Sequence, residues 1–487
     1  MMAAVTGDQP TWLDEAPLFQ AWLRFAEADV APFTIPGHKR RAGTLAPDFG
    51  RLLDADIPLY GGADTVKLTA GVLNDAERRA ADLWGADLCR FTAGGSTQAN
   101  QVLALAIGQP GDVVLVARNA HRSVVSGLVL AGLRPVWLPV RVDASTGAPL
   151  GLDTATVTQA LARNPEAVAL WCTEPSYQGT ISEHLPAVIA AAHRHGVPVV
   201  VDAAWGAHLG FAPGYPAHAL TQGADAMVTS AHKMLPAFSQ AALTLVRTAR
   251  LDPDRVQRAV AALETTSPSA AILASIDAAR AFLASADGRA ALGRTADLVQ
   301  SARSRLSAAG LHVPGPGDYG TTEVDPTKLV VHFARAGRSG QSAEAALLAA
   351  GLPVEMADRD TIVAQVGLTD DASTIDRLVT GMAHHLASTP AGPARTITTI
   401  TGPLPIVAMT PREAYFAGFE TVATTDAVGR VSAELIAPYP PGVPVLAPGE
   451  EVTAAVVTAL ATSREAGNRI AYAADPTLLT LQVVAVQ

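Results

Sequence analysis

The chain has 487 residues, of which 49% are hydrophobic and 16% are charged, and its formal net charge is −10 at pH 7. This length is too great for one simple core, so we expect two or three domains. The apolar content excludes a disordered protein, and an acidic chain without any Lys/Arg run argues against a nucleic-acid partner. The two cysteines, Cys89 and Cys172, have no metal-ligand spacing, so we expect buried, reduced thiols and no metal.

The N-terminal residues show no basic segment followed by an apolar core, and no uninterrupted apolar run reaches about 18 residues. We therefore expect a soluble, cytoplasmic protein with no membrane partner. Residues 1–60 are interpreted as an N-terminal segment with one amphipathic helix, Ala16 to Ala28, followed by the turn-rich stretch TIPGHKRRAG.

From residue 61 to about 300, helix-like segments alternate with short apolar runs such as DVVLVA (112–117) and VPVVVDAA (197–204). Runs that are apolar on both faces and separated by helices are typical of a parallel sheet covered on both sides. The alternation therefore predicts one large α/β domain over residues 61–300. Further strand candidates are RPVWLPV (134–140), EAVALWC (166–172), ADAMVTSA (224–231) and ALTLVRT (242–248).

A glycine- and proline-rich break at 309–320 precedes the strand candidates TKLVVHFA (327–334) and TIVAQVGL (361–368). A helix candidate lies between them, so this part predicts a small α+β domain over residues 301–395. A threonine-rich linker then leads to a C-terminal domain over residues 396–487. Its helix start TPREAYFAG fits a capping box, with Thr410 as the cap, Pro411 at the first helical position and Glu413 completing the box.

The stretch VTSAHKMLPAFSQAA (228–242) carries a single formal charge, on Lys233. An ammonium group in such apolar surroundings is costly, and burial lowers the pKa of a lysine toward the neutral amine. A desolvated amine can form an imine with an aldehyde. For one isolated lysine the alternative is a side chain whose head reaches water along an apolar surface.

Three more segments stand where strands end, at the sheet edge that binds ligands in open α/β folds. TAGGSTQAN places Ser96 and Thr97 on a glycine turn before a helix, an arrangement suited to phosphate. Asp202 ends a buried strand, and His121 follows DVVLVA with a flat ring that can stack on a heteroaromatic cofactor. Each of these, taken alone, has a plain alternative as a helix cap or turn.

Taken together, a phosphate site, a carboxylate, an aromatic ring and a desolvated amine are the parts that bind pyridoxal 5′-phosphate. Lys233 would join the aldehyde as an imine, and Asp202 would keep the pyridine nitrogen protonated so that the ring accepts electrons. The charge on Lys233 is isolated, in this interpretation, because its amine is used in a covalent bond.

The chain resembles the bacterial Orn/Lys/Arg decarboxylases, in a short form without their N-terminal wing domain. The stretches that carry this resemblance are PGHK (36–39), GGSTQAN (94–100), NAHRS (119–123), EPSYQGT (174–180), VDAAWGAH (201–208), SAHKMLPAF (230–238), TTSPSA (265–270) and AELIAPYPPGVPVLAPGE (433–450). The resemblance implies fold type I, with a mostly parallel seven-stranded sheet in the large domain and smaller C-terminal domains. It implies a pyridoxal-phosphate carboxy-lyase of polyamine biosynthesis, which converts arginine, lysine or ornithine to agmatine, cadaverine or putrescine and CO2.

The resemblance also implies roles for residues of this chain. Lys233 would form the imine, Asp202 would bind the pyridine nitrogen and His121 would stack on the ring. The residues implied around the phosphate and the ring edge are Ser96, Thr97, Trp205, Ser230 and His232. In this family the active site lies between two subunits, so we expect a homodimer or a larger homo-oligomer in which Thr266 and Ser267 approach the partner's cofactor.

The distal cation of a basic amino acid needs a carboxylate, and the candidates are Glu264, Glu434 and Glu450. The family pattern is not kept at Glu264 and Ala270, where an uncharged and an aromatic residue are expected. Both positions are expected near the substrate, so the choice among the three amino acids stays open.

Two other functions stay open at this stage. Another fold-type-I reaction, such as an aminotransferase or an aldol-type lyase, is one alternative because fold alone does not define chemistry. An aminotransferase would bind the α-carboxylate through an arginine of the small domain, for which the chain offers Arg335, Arg338 and Arg359. A catalytically silent regulator of a true decarboxylase is the other alternative, although this chain keeps both Lys233 and Asp202.

Overall fold

A computed structural model of the chain describes residues 9–28, 53–57, 71–320, 322–395, 406–439 and 443–486, with single residues at 36, 39, 43, 47 and 404. Gly37 and His38 of the PGHK motif and residues 396–402 of the threonine-rich linker lie outside the described residues.

The strands are β1 (Leu88–Thr92), β2 (Val113–Ala117), β3 (Arg134–Leu138), β4 (Ala169–Thr173), β5 (Thr180–Ile181), β6 (Val199–Asp202), β7 (Ala226–Ser230), β8 (Ala242–Val246), β9 (Glu323–Val324), β10 (Lys328–His332), β11 (Met356–Ala357), β12 (Thr361–Gln365), β13 (Phe419–Ala423), β14 (Ala437–Tyr439), β15 (Arg469–Ala471) and β16 (Thr480–Val484). The α-helices are α1 (Pro17–Glu27), α2 (Val72–Trp84), α3 (Gly95–Ile107), α4 (Arg122–Ala131), α5 (Thr154–Arg163), α6 (Leu185–Arg194), α7 (Ala231–Met234), α8 (Pro253–Leu263), α9 (Ala270–Ala284), α10 (Ala286–Ala308), α11 (Gly340–Ala349), α12 (Ala372–Ser388), α13 (Pro411–Phe416) and α14 (Ala454–Glu465).

The central sheet has seven strands in the order β1-β8-β7-β6-β4-β2-β3. The pairs β2–β3, β2–β4, β4–β6 and β6–β7 are parallel. The α/β fold class and the mostly parallel seven-stranded sheet are therefore confirmed. All six strand candidates of the large domain form strands of this sheet.

Apolar side chains of the central sheet pack on both of its faces. In β2, Val113 and Leu115 belong to one hydrophobic core while Val114 and Val116 belong to another, and all four are at most 2% exposed. Successive side chains of a strand point to opposite faces, so an unbroken apolar run fills two cores at once. Each such side chain contributes about 1.5–3 kcal/mol relative to an exposed one.

Strand β8 runs opposite to the other strands of the central sheet, because it pairs antiparallel with both β7 and β1. The apolar run at 242–248 gave no sign of this direction. Its cause is the short connection from β7, residues 231–241, since a parallel crossover needs a dozen or more residues. Edge strand β1, whose Arg90 pairs with Glu77 at 2.9 Å, was not predicted either.

The remaining strands build smaller antiparallel sheets. Strands β10, β12 and β11 form a three-stranded sheet, which confirms both strand candidates of this part, and α11 and α12 contribute to its core. In the C-terminal part β13 pairs with β16 and β14 pairs with β15, four strands that the sequence analysis did not predict. The capping box at the start of α13 is present, with the Thr410 backbone N–H donating to Glu413 Oε2 at 2.8 Å. None of the helices described above combines the length and apolarity that crossing a bilayer demands.

Candidate active site

A cavity of about 730 Å³ opens at the edge of the central sheet where β4 and β6 end and α7 begins. The sequence-predicted residues that line it are Ser96, His121, Asp202, Trp205, His232 and Lys233. Carboxyl ends of parallel strands are the common ligand edge of open α/β sheets. The folded chain therefore brings these separated segments to one site.

Lys233 lies in α7, the short helix that directly follows β7. Burial lowers the pKa of Lys233 below its ordinary value, although the carboxylates of Asp202 and Glu355 oppose that shift. Its Nζ lies 4.6 Å from the centroid of the Trp205 ring. These surroundings favour the neutral amine, which is the nucleophilic form.

Asp202 is the last residue of β6 and is only 3% exposed. Its Oδ2 accepts a hydrogen bond from Asn100 Nδ2 at 2.9 Å, and its Oδ1 accepts one from the Ala204 backbone N–H at 3.1 Å. Asn100 Nδ2 also donates to Ser123 Oγ at 2.8 Å. Neutral donors from α3 and from the segment after β6 thus orient this carboxylate at the cavity wall.

His121 is the N-cap of α4, and its Nδ1 accepts from the Ser123 backbone N–H at 3.2 Å. Burial lowers the pKa of His121, so the neutral ring is favoured for stacking. His232 Nδ1 lies 2.8 Å from the Ala241 carbonyl oxygen. Because that carbonyl can only accept, Nδ1 of His232 carries the proton and Nε2 is the free acceptor in the neutral ring. Burial also lowers the pKa of His232.

The glycine turn before α3 has a local steric reason. A Cβ on Gly94 would lie 1.8 Å from Gln98 Oε1, and Gly95 has a φ of +69°. Ser96 lines the cavity at the start of α3, whereas Thr97 is half-buried in the same turn and is not part of the lining. The helix N-terminus and the Ser96 hydroxyl form the phosphate-suited part of the site.

Unpaired buried hydroxyls test whether pyridoxal phosphate fits this site. Ser230 is fully buried at the end of β7 and is not part of the described cavity lining, and its Oγ has no hydrogen-bond partner among the described residues. Thr173 Oγ1, at the end of β4, is likewise buried and unpaired in the described part of the chain, and Thr173 lines the cavity. Buried hydroxyls without partners are costly, so donors and acceptors left open here suit a polar group such as a phosphate.

Several residues that were predicted for the site lie outside the described cavity lining. Thr266 and Ser267 are exposed on the link between α8 and α9, outside the lining of this cavity. Glu264 accepts from Gln98 Nε2 at 3.2 Å, and Glu434 accepts backbone N–H groups of Ala474 and Gln482.

The third predicted carboxylate, Glu450, pairs through both oxygens with Arg118. Glu264, Glu434 and Glu450 are all absent from the described cavity lining. Each of these carboxylates instead accepts hydrogen bonds from groups of the protein.

Two carboxylates that the sequence analysis did not name, Glu355 and Asp358, do line the cavity. They come from the three-stranded sheet region, and Tyr177 Oη donates to Glu355 Oε1 at 2.6 Å. The Tyr177 ring packs edge-on against Trp205, with ring centroids 5.4 Å apart. No local sequence pattern distinguishes these two acids, because only the folded chain brings them to the cavity that Lys233 lines.

Lys328 is a second buried lysine beside the site. Its side chain is fully buried, and Nζ has no hydrogen-bond partner in the part of the chain described. Burial lowers the pKa of Lys328 to about 7, with Asp325 and Glu355 opposing the shift and Lys233 adding to it. A lone charge in the apolar strand TKLVVHFA is the same signal that singled out Lys233, so the sequence could have indicated this residue.

A mostly parallel seven-stranded sheet, with a desolvated lysine and an aspartate meeting at its carboxyl edge, defines a pyridoxal-phosphate enzyme of fold type I. The family profile described as Orn/Lys/Arg decarboxylase, major domain, matches residues 16–314, and the profile for the C-terminal domain matches residues 394–470. The chain belongs to the Orn/Lys/Arg decarboxylase family. It is a decarboxylase of a basic amino acid, and its cofactor is pyridoxal 5′-phosphate.

One curated protein is similar to this chain in sequence, and solved structures share its fold. The chain is 33% identical to an arginine decarboxylase of Halalkalibacterium halodurans, over 97% of this chain and 98% of that protein. The solved constitutive lysine decarboxylase of Escherichia coli aligns with a TM-score of 0.81 at 21% identity, covering 96% of this chain and 82% of its own. A serine palmitoyltransferase structure with bound pyridoxal phosphate aligns with a TM-score of 0.51 at 18% identity, over 64% of this chain and 75% of its own.

Proposed function

We propose that this enzyme converts L-arginine to agmatine and CO2. The observation that carries the proposal is the meeting of Lys233, Asp202 and His121 at one cavity, in a chain of this decarboxylase family. Arginine is favoured among the basic amino acids because the arginine decarboxylase of H. halodurans shares 33% identity over nearly the whole chain. The E. coli lysine enzyme shares the fold at only 21% identity.

When bound, the cofactor supplies an electron-accepting ring that takes the electron pair of the Cα–carboxylate bond. Lys233 Nζ would hold the cofactor through its aldehyde carbon until the substrate's amine takes that position. Asp202 would pair with the pyridinium nitrogen and is oriented for this by Asn100 Nδ2 and the Ala204 N–H. His121 would pack its neutral ring on the cofactor, and Ser96 and Ser230 would donate hydroxyl protons to the phosphate.

A proton must reach Cα after CO2 leaves, and the group that delivers it must carry that proton. Lys233 Nζ lies on the cavity wall and, once free of the cofactor, would deliver the proton as an ammonium group. His232 would need the imidazolium form, because the proton of the neutral ring is held on Nδ1 by the Ala241 carbonyl, and burial lowers the pKa of His232. We therefore assign the proton transfer to Lys233 Nζ.

The α-carboxylate would lie among apolar side chains, which disfavours its charged ground state. The cavity lining includes Val140, Val142, Met356 and Val445. Arg118 is the one arginine in the described lining, and Glu450 already accepts from both of its Nη atoms.

The small-domain arginines that an aminotransferase could use are engaged or distant from the cavity. Arg335 is exposed and outside the described lining, Arg338 donates to backbone carbonyls of Ala336 and Leu386, and Arg359 donates to Asp360. The described lining therefore contains no uncommitted arginine that could bind the substrate's α-carboxylate, as an aminotransferase requires. This favours decarboxylation over transamination.

Incubation of the purified holoenzyme with arginine, lysine and ornithine tests the proposal. We expect CO2 and agmatine from arginine, with kcat/KM at least tenfold above those for lysine and ornithine. Conversion of the amino acid to a keto acid without CO2 would instead establish an aminotransferase. Preference for lysine or ornithine would overturn the choice of arginine.

We further propose a cytoplasmic homodimer that supplies agmatine for polyamine biosynthesis. Both cysteines are free and buried, which suits a reducing compartment. Thr266 and Ser267 are exposed, as expected of residues that reach a partner subunit. Light scattering coupled to size-exclusion chromatography would give twice the 50.1 kDa chain mass, and a monomer would contradict this assembly.

A further inference from the structure

The described lining of the cavity contains three carboxylates, Asp202, Glu355 and Asp358. Asp202 is committed to the cofactor in the function proposed above. Asp358 Oδ1 accepts the backbone N–H groups of Asp360 and Thr361, both at 2.7 Å, so it stabilises a turn. Burial raises the pKa of Asp358, which favours its neutral form. Glu355 is therefore the carboxylate best able to serve a cationic ligand.

Glu355 is exposed to the solvent of the cavity, and one of its oxygens is oriented by the protein. Tyr177 Oη donates to Oε1 at 2.6 Å, which leaves Oε2 without a donor among the described residues. An oriented carboxylate with one open oxygen suits a planar guanidinium, which forms short charge-assisted hydrogen bonds.

Glu355 also lies within electrostatic reach of the reactive amine. Its charge opposes the burial effect on the pKa of Lys233 and of Lys328. A continuous chain of contacts joins Glu355 to Lys233, since Tyr177 packs on Trp205 and Lys233 Nζ lies 4.6 Å from the Trp205 centroid. Lys328 does not use this carboxylate as a hydrogen-bond partner, because its Nζ has none in the described chain.

We propose that Glu355, oriented by Tyr177, binds the distal cation of the substrate and so determines specificity for a basic amino acid. This inference rests on the proposed function and adds the residue that recognises the side chain. A substrate whose amine replaces Lys233 on the cofactor would then extend along the Trp205 and Tyr177 rings toward Glu355.

The test compares L-arginine with L-citrulline, which has nearly the same shape but an uncharged ureido group. Wild-type holoenzyme should favour arginine over citrulline in kcat/KM by at least about 100-fold, since the uncharged ureido group cannot form charge-assisted hydrogen bonds with Glu355. Glu355→Gln keeps the acceptor for Tyr177 and removes the charge. We expect this ratio to fall at least tenfold, mainly through a higher KM for arginine, and the visible absorbance of the bound cofactor to stay.

A binding measurement tests the same residue without catalysis. Calorimetric titration of the holoenzyme with agmatine should show a Kd at least tenfold weaker in Glu355→Gln than in wild type. Tyr177→Phe leaves the charge of Glu355 in place but removes the hydrogen bond that orients its carboxylate. We therefore expect a smaller weakening of agmatine binding in this variant. Glu323→Gln is the matched control, because Glu323 is exposed in β9 outside the described cavity lining, and it should leave both measurements unchanged.

Several results would overturn the assignment. Wild-type agmatine affinity and a wild-type arginine-to-citrulline ratio in Glu355→Gln would exclude Glu355 as the binding residue. A loss of discrimination in Asp358→Asn but not in Glu355→Gln would move the site to Asp358. A wild-type protein that decarboxylates none of the basic amino acids would defeat the proposed function, and the agmatine titration would still decide on Glu355.

Discussion

Lys328 and Lys233 place their side-chain nitrogens over the same indole ring, at 3.2 Å and 4.6 Å from the Trp205 centroid. One lysine belongs to β10 of the three-stranded sheet, and the other belongs to α7 at the edge of the central sheet. Burial lowers the pKa of both, and the charge of Lys233 lowers the pKa of Lys328 further. The indole ring thus couples the reactive amine to a residue more than 90 positions away.

Lys328→Met should stabilise the protein at neutral pH. Burial lowers the pKa of Lys328 to about 7 from 10.5. Between these values the unfolded chain binds a proton that the folded chain does not, so wild-type stability rises with pH across this window. The variant lacks that dependence. We expect its free energy of unfolding to exceed that of wild type by about 2 kcal/mol near pH 7, and we expect this difference to narrow toward pH 10. Urea unfolding at several pH values measures it, and parallel curves would contradict it.

Lys233→Ala should abolish catalysis, because no other amine of the described lining can bind the cofactor's aldehyde. We expect kcat to fall by several orders of magnitude, as when a nucleophile is removed. The visible absorbance of the bound cofactor should disappear as well. Lys328→Met is the matched lysine control and should keep that absorbance. A Lys233→Ala protein that retained the band and its activity would show that another residue binds the aldehyde.

Glu174→Gln should also change how stability depends on pH, with the opposite sign to Lys328→Met. Burial raises the pKa of Glu174 from 4.5 to about 8, although the Ser182 backbone N–H donates to its Oε1. Between these values the folded chain keeps a proton that the unfolded chain releases, so wild-type stability falls as pH rises. Glutamine accepts the same hydrogen bond without ionising. The free energy of unfolding of the variant should therefore exceed that of wild type by about 2 kcal/mol at pH 8, but not at pH 4.5. Thermal unfolding at both pH values measures this, and an equal difference at both would refute it.

Glu450→Gln should affect stability and leave specificity intact. Glu450 is 1% exposed, and its two oxygens accept from Arg118 Nη1 and Nη2 at 2.5 and 3.0 Å. Removing one partner of a buried pair leaves the other charge uncompensated, at a cost of about 3–5 kcal/mol. We expect a lower denaturation midpoint together with an unchanged arginine-to-citrulline ratio. If that ratio fell instead, Glu450 would have to contact the substrate.

The sequence predicted the architecture well where the pattern is local. An apolar run such as VPVVVDAA identifies a strand buried on both faces, and the residue that ends it, Asp202, then lies at the ligand edge. The direction of β8 was not readable from its own residues, because it depends on the length of the preceding connection.

Recognition of the substrate side chain was the least predictable part of the site. The candidates Glu264, Glu434 and Glu450 look no different in sequence from Glu355, which is the one that reaches the described cavity lining. What separates them is which donors the folded chain brings to each carboxylate. Tyr177 and Glu355 are 178 residues apart in the chain, and no local spacing reports such a contact.

The reversed direction of β8 has a consequence for the reactive lysine. Because β7 arrives at the ligand edge and β8 departs from it, both ends of segment 231–241 are anchored in the same sheet. Backbone N–H groups of Ala231 and His232 donate to the Ala241 carbonyl at 3.0 and 3.3 Å, which fastens the loop across its base. Such a doubly tethered loop has little freedom left to lose when its amine is released and recaptured, so each turnover starts from nearly the same geometry.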